Sequence, residues 1–387
     1  MFIDLACLAS EIAEKTNSPI KIHTNLISRN VNGLFVEEIE TDVIAVTQTG
    51  ELIIRLSDQS LLRGLVQETS SATNRSILTF LGVPYAAPPI GSLRFAPPRS
   101  PAPWRGVYNA TRQPNACMQT NITNFYRAQS KEPYGYSSNL SEDCLYLNIW
   151  APVSPEGQIS YNANRTIMVY IHGGSFVMGS ITNSLLDGRV LSSEAIHEDV
   201  IVITINYRLN IFGFLYAGNE LSPGNMGLLD QLEALRWIRQ NARHIGGNPD
   251  DVVLFGLSAG ARSISLHLVS EMSRPYYSRV ILQSGSSLCP WTFTPKDEML
   301  DKVLNLAHFV NCSTNESDLD KKLLIIVQCL KQVPAQKLID YETVNKRQAG
   351  TTWTATLDGQ FLTDDPEILM QEGRFQKKDV LFGTFHA

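Results

Sequence analysis

The chain has 387 residues, with 43% hydrophobic and 18% charged content, which is ordinary for a globular protein with a large core. Its 32 basic and 38 acidic residues leave a formal charge of −6, without the basic patch that nucleic acid requires or an acidic tail. No run of about 18 apolar residues occurs, so no membrane span is expected.

Residues 1 to 42 read as a leader of uncertain order, ahead of one large domain from 43 to 387. Met1 to Ser10 is partly apolar but carries Asp4 and lacks a basic start, so it makes a poor signal peptide. Val43–Val46 and Leu52–Leu56 are β-rich runs flanking Thr47 to Gly50, which predicts a hairpin. Phe80 to Pro89 is proline-rich and reads as an ordered loop rather than an interior strand. Ile167–Ile171, Val200–Ile205, Val252–Phe255 and Val280–Leu282 then form β-rich runs, each followed by Gly or Asn turn residues.

Between the second and third of these runs, Leu228, Leu229, Leu232, Leu235, Ile238, Ala242 and Ile245 recur at helical spacing, and Gly246-Gly247 ends the pattern. Strands alternating with helices imply an α/β fold: a largely parallel central sheet flanked by helices, with the site at the carboxyl ends of the strands. Residues 296 to 375 are more helical, with Leu300, Val303, Leu304 and Ala307 on one face. Val380–Gly383 reads as a further buried strand.

The most informative run is Gly256-Leu257-Ser258-Ala259-Gly260, placed between the third β-rich run and a helix-like segment. A serine attacks a carbonyl well only when its hydroxyl stands clear of the backbone, beside a base and beside amides that bind the oxyanion. A sharp strand-to-helix turn presents it so, and small residues two positions either side relieve the crowding. Ala259 would then offer its N–H at a helix N-terminus. The alternative is an ordinary Gly-Ser turn. The first run delivers His172-Gly173-Gly174-Ser175-Phe176, a glycine loop placed where such an enzyme keeps its other oxyanion donors; a tight turn alone is the alternative.

The six cysteines and seven N-x-S/T sequons bear on compartment. Cys117 and Cys144 bracket one polar loop, Cys312 and Cys329 another, and a disulfide across either would be worth roughly 3 kcal/mol. Four buried free thiols are the alternative, and no C-x-x-C spacing supports zinc. Cys7 and Cys289 have no evident partner. The sequons, at Asn74, Asn109, Asn121, Asn139, Asn164, Asn311 and Asn315, lean toward a secreted or cell-surface, glycosylated protein.

Taken together, Phe80–Ala86, Leu93-Arg94-Phe95, Ser141–Asn148, Asn206-Tyr207-Arg208, Gly224-Asn225, Gly227–Gln231, the serine turn and Gln283-Ser284-Gly285 resemble the type-B carboxylesterase and cholinesterase family of the α/β-hydrolase fold. That family also includes catalytically silent, neuroligin-like adhesion proteins. The resemblance implies a nucleophile at Ser258 and an oxyanion hole from the N–H groups of Gly174, Ser175 and Ala259. It implies disulfides Cys117–Cys144 and Cys312–Cys329, charged pairs Arg94 with Glu142 and Arg208 with Asp230, a small carboxylic-ester substrate, and no cofactor or metal.

The sequence departs from the active members at several positions. Ser175 stands where they usually carry a third glycine, and Leu257 where many carry a glutamate. Tyr134 stands where a choline-binding tryptophan is expected, while Trp291 matches an acyl-pocket position. The triad order of this fold is serine, acid, histidine. After Ser258 only His267, His308 and His386 remain, and none follows an acid in the required manner. The acid and histidine are therefore expected beyond Ala387, in a longer protein, and this chain alone is expected to be inactive.

Overall fold

The computed structural model describes residues 20–21, 26–31, 34–39, 43–47, 50–68, 76–120, 139–154, 159–160, 163–193, 200–289, 292–349 and 353–384. A 12-stranded mixed sheet organises them. In chain order its strands are β1 (Ile20–Lys21), β2 (Val43–Thr47), β3 (Glu51–Arg55), β4 (Leu61–Glu68), β5 (Ser76–Pro84) and β6 (Val107–Asn109). They continue as β7 (Tyr146–Val153), β8 (Arg165–Ile171), β9 (Ile201–Ile205), β10 (Gly247–Leu257), β11 (Arg279–Gln283) and β12 (Asp379–Gly383). Across the sheet the order is β1-β2-β3-β4-β5-β7-β9-β8-β10-β11-β12, with β6 paired to β4.

The two halves of the sheet differ in kind. From β1 to β9 along this order, neighbours are antiparallel, and they include the β2–β3 hairpin that the sequence predicts. From β9 to β12 every pair is parallel. All of β9 is buried, as suits the continuous apolar run of a strand covered on both faces. After β8 the chain turns back to place β9 on one side of it, and β10 and β11 then build outward on the other. The crevice between the carboxyl ends of β8 and β10 is thus a topological switch point, where open α/β sheets bind ligands.

Two expectations require correction. Residues 80–84 are not loop but the end of β5, an interior strand between β4 and β7. Ile77, Leu78, Phe80 and Val83 are buried there, and Pro84 pairs with Tyr146 at the last position. The missing proline N–H therefore falls at the strand end, and Pro88 and Pro89 lie beyond it. The strand expected at 380–383 forms, parallel to β11, but Val380, Leu381 and Phe382 are 50%, 64% and 54% exposed rather than buried. Among the described residues it pairs on one side only.

The helix expected after β9 is α1 (Met226–Asn241), shorter than its apolar repeat suggests. Arg243–Ile245 tighten into a 3-10 turn, and Gly246 at φ 80° closes it in the left-handed conformation that glycine adopts without strain. Helix α2 (Ala259–Val269) follows β10 and is buried along its whole length. Helices α3 (Lys296–Phe309), α4 (Leu319–Leu330), α5 (Ala335–Ala349) and α6 (Pro366–Gln371) form the helical region expected at 296–375. Val303 and Ala307 of α3 are buried, with Leu300 and Leu304 partly so.

Both disulfides form. Cys117–Cys144 and Cys312–Cys329 close loops with sequence separations of 27 and 17. Arg94 pairs with Glu142 and also donates to the carbonyls of Leu330 and Val333 at 3.1 and 2.6 Å, which locks the end of α4 to the loop after β5. Arg208 and Asp230 pair in the interior, with Arg208 Nη1 donating to the Ala96 carbonyl at 2.8 Å.

Candidate active site

Ser258 sits at the junction of β10 and α2 with φ 55° and ψ −117°, a conformation that bulky L-residues avoid. The turn that imposes it is packed on all sides. A Cβ at Gly256 would stand 2.8 Å from the Ile171 carbonyl oxygen of β8, and one at Gly260 would overlap that same oxygen. Both positions require glycine because β8 runs directly alongside, with Ile171 paired to Gly256. Behind the serine, its own N–H donates to the Gln283 carbonyl of β11 at 2.8 Å, and its carbonyl accepts from Arg262 N at 2.9 Å to begin α2. Gly285 completes the mould: a Cβ there would strike the Ser258 carbonyl oxygen.

The loop after β8 comes up against this elbow. A Cβ at Gly173 would lie 2.6 Å from the Leu257 carbonyl oxygen and 3.4 Å from Ser258 Cβ, so the two loops touch backbone to backbone. Gly174 has φ 117°, and its carbonyl accepts from Val177 N at 3.0 Å and Met178 N at 3.1 Å. The turn so closed contains Ser175 at φ 55° and Phe176 at φ 62°, two consecutive left-handed residues without a glycine. Phe176 anchors it: the ring is fully buried edge-on to Phe214 at 5.0 Å, and its carbonyl accepts from Asn210 N at 2.7 Å. Ser175 and Ser258 are both half-buried, open enough for a reactant to reach them.

Ala259 is the first residue of α2, and a helix leaves its first N–H groups without intrahelical partners and slightly positive. A half-buried hydroxyl at this helix start, beside a glycine loop at a switch point, is an arrangement suited to acyl transfer. Leu257 is half-buried and adds no charge beside the serine. Tyr134, Trp291 and His386 lie outside the described residues. Among the described residues, no group of three or more His, Cys, Asp or Glu could hold a metal ion, and no helix is long and apolar enough to cross a membrane.

His172, His267 and His308 are each placed away from a role as the base of Ser258. His308 is exposed on α3. His172, 3% exposed, stacks on Tyr207 at 4.5 Å between centroids, with Nδ1 2.8 Å from the Gly173 carbonyl oxygen. Burial lowers its pKa to about 4, so it is a neutral support beneath the glycine loop. His267 is fully buried toward the far end of α2, about 13 Å from Ser258 at helical rise, and burial takes its pKa down to about 3. The partners that hold it could not be read from spacing along the chain, because Gln231 and Ser273 lie on other elements.

The chain is similar to known proteins over most of its length. Residues 51–387 match the model of the carboxylesterase family. Acetylcholinesterase 1 of Caenorhabditis briggsae is 38% identical over 333 residues, 86% of this chain and 52% of that protein. Mouse (Mus musculus) cholinesterase is 39% identical over 349 residues, 89% of this chain and 53% of its own length. For the Electrophorus electricus acetylcholinesterase the values are 39% over 313 residues, with 80% and 47% covered. The chain spans about half the length of the curated relatives it matches. The sheet with its flanking helices is an α/β-hydrolase fold, and the chain belongs to the carboxylesterase family.

Proposed function

We propose that the whole protein hydrolyses small carboxylic esters, with Ser258 as nucleophile. The observation that carries this reading is the backbone of Ser258, held at φ 55° between β10 and α2 beside the glycine loop at the switch point. Ser258 Oγ attacks the acyl carbon, and its proton passes to a histidine. The N–H groups of Gly174, Ser175 and Ala259 bind the oxyanion, the alcohol leaves with a proton, and water then releases the acyl group and restores the serine. A serine without its base loses most of its advantage, and the buried His172 and His267 are each held by other partners. Tyr134, Leu257 and Trp291 are assigned to the substrate pocket, and of the three only Leu257 lies among the described residues. The names of the relatives point to choline esters, whereas Tyr134 and Leu257 favour a neutral ester.

A second reading, a silent adhesion ectodomain, is favoured by the strained Ser175 in the glycine loop and by the apolar Leu257. An organophosphate probe separates the two. Labelling of the whole protein at Ser258, absent from Ser258→Ala, supports the esterase, whereas no labelling selects adhesion.

Two disulfides and the exposed side chains of Asn109, Asn139, Asn164, Asn311 and Asn315 support a secreted or cell-surface glycoprotein. Asn74 and Asn121 lie outside the described residues. A mobility shift on deglycosylation of the secreted protein tests this placement.

A further inference from the structure

A line of buried side chains runs from the far end of α2 back to its first turn. His267 Nδ1 lies 2.7 Å from Ser273 Oγ, and its Nε2 lies 3.0 Å from Gln231 Oε1 on α1. Gln231 Nε2 donates to Ser263 Oγ at 3.1 Å, and Ser263 Oγ donates to the Ala259 carbonyl at 2.9 Å. All four side chains are 0% exposed.

Donor and acceptor valence fixes every proton along this line. The Ala259 carbonyl only accepts, so the Ser263 hydroxyl points at it, and the amide nitrogen of Gln231 only donates, so it occupies the lone pair of that hydroxyl. Gln231 Oε1 only accepts, so His267 carries its proton on Nε2. Burial keeps the ring neutral, so Nδ1 is bare and accepts from the Ser273 hydroxyl. A lone serine bonded four residues back along a helix keeps a rotatable hydroxyl. Here the hydroxyl is locked and polarised by the group behind it. At the far end, Gln376 Nε2 donates to the carbonyls of His267 and Ser270 at 3.0 and 2.9 Å, which holds the last turn of α2.

We infer that Ser263, Gln231 and His267 are positioning residues for the nucleophile elbow. They tie the backbone of Ala259, hence the aim of its N–H and the seat of Ser258, to α1 and to the turn at Glu271–Tyr276. None of them touches substrate. The role rests on the hydrolase reading, since it matters only if Ser258 reacts, although the restraint on Ala259 exists regardless.

The experiment compares the whole protein with its Ser263→Ala and Gln231→Met variants, which break the line at different points. An organophosphonate that labels Ser258 gives a probe affinity and a rate of bond formation. The melting temperature and deuterium exchange over residues 256 to 264 are read in parallel. Ser263→Ala is expected to slow bond formation about tenfold, with affinity held within about twofold and melting within about 4 °C, because small misalignments cost rate before they cost folding. Exchange at Ala259 and Gly260 is expected to quicken in both variants. Unchanged rate and exchange in Ser263→Ala, or a rate that falls only in step with melting, overturns the inference. If the wild-type protein is not labelled, the hydrolase reading fails while exchange still decides: quicker exchange at Ala259 supports positioning and unchanged exchange refutes it.

Discussion

The guanidinium of Arg208 and the carboxylate of Asp230 meet in two parallel hydrogen bonds, Nε to Oδ2 at 2.8 Å and Nη2 to Oδ1 at 2.7 Å, with side chains 3% and 0% exposed. Asp230 Oδ2 also accepts from the Arg208 backbone N–H at 3.0 Å, so one carboxylate fixes both ends of the residue that follows β9 to α1. Removing one partner strands the other charge in the interior. Asp230→Asn is expected to cost about 3–5 kcal/mol of folding free energy, whereas an apolar replacement of both residues should recover much of the loss. Urea denaturation of the single and double variants measures this, and equal losses in both would show the pair to be net stabilising in itself.

Gly260 offers a sharper test of the elbow. A Cβ there would overlap the Ile171 carbonyl oxygen and lie 2.8 Å from its carbonyl carbon, and both atoms belong to the backbone of a central strand that cannot retreat alone. Gly260→Ala is therefore expected to destabilise by about 3 kcal/mol, the upper range for overpacking. It should also abolish labelling of Ser258. Gly359→Ala is a control for introducing a side chain at an unobstructed glycine: a Cβ there meets nothing within 4 Å, although its φ of 76° still carries strain. A Gly260→Ala protein that melts and labels like the wild type would remove the steric account of the turn.

What could be read from the chain follows from how local each cause is. The strand β10, the turn at Ser258 and the loop at Gly173 are encoded within a few residues, so the pattern of apolar runs and glycines reveals them. The interior place of β5 was hidden, because the prolines that mark the loop beyond it begin at its own last residue. The exposure of Val380, Leu381 and Phe382 could not be read from their apolar character, since burial of a strand depends on which neighbours cover it. The line through His267 is the extreme case. Its partners are 36 residues upstream and 6 downstream, brought together only when α1, α2 and the Glu271 turn pack.

Acid should weaken the fold through His172 and His267, the two histidines buried among the described residues. Burial lowers His267 from 6.5 to about 3 and His172 from 6.5 to about 4, so the unfolded chain binds these protons more readily than the native one. Their contribution is complete above about pH 6.5 and is withdrawn as pH falls, down to about 4 for His172 and about 3 for His267, at roughly 1.4 kcal/mol per unit for each. Asp251, whose carboxyl is held below its ordinary value of 3.8 with Thr166 and Arg279 as partners, acts only at the acid end of this range. Asp358, raised by burial, opposes the trend. Urea midpoints at pH 7, 6, 5 and 4 should fall steadily, and a flat profile would mean that one or both rings meet water.

Ser175 supplies the last expectation, because its backbone and its identity disagree. The residue holds φ 55° inside the turn closed by the Gly174 carbonyl, a conformation that costs a serine about 1 kcal/mol and a glycine almost nothing. The neighbouring Phe176 cannot absorb the strain, since its buried ring and its bond from Asn210 N fix its own φ at 62°. Ser175→Gly should therefore fold with equal or slightly greater stability, offset in part by the added freedom of its unfolded chain. The substitution deletes no N–H, and with Ser175 placed in the oxyanion loop of the proposed site, a bulky organophosphate is expected to label the variant several-fold faster while a small one gains less. Equal rates for both probes would place the Ser175 side chain away from the path of the acyl group, leaving backbone strain as its only effect.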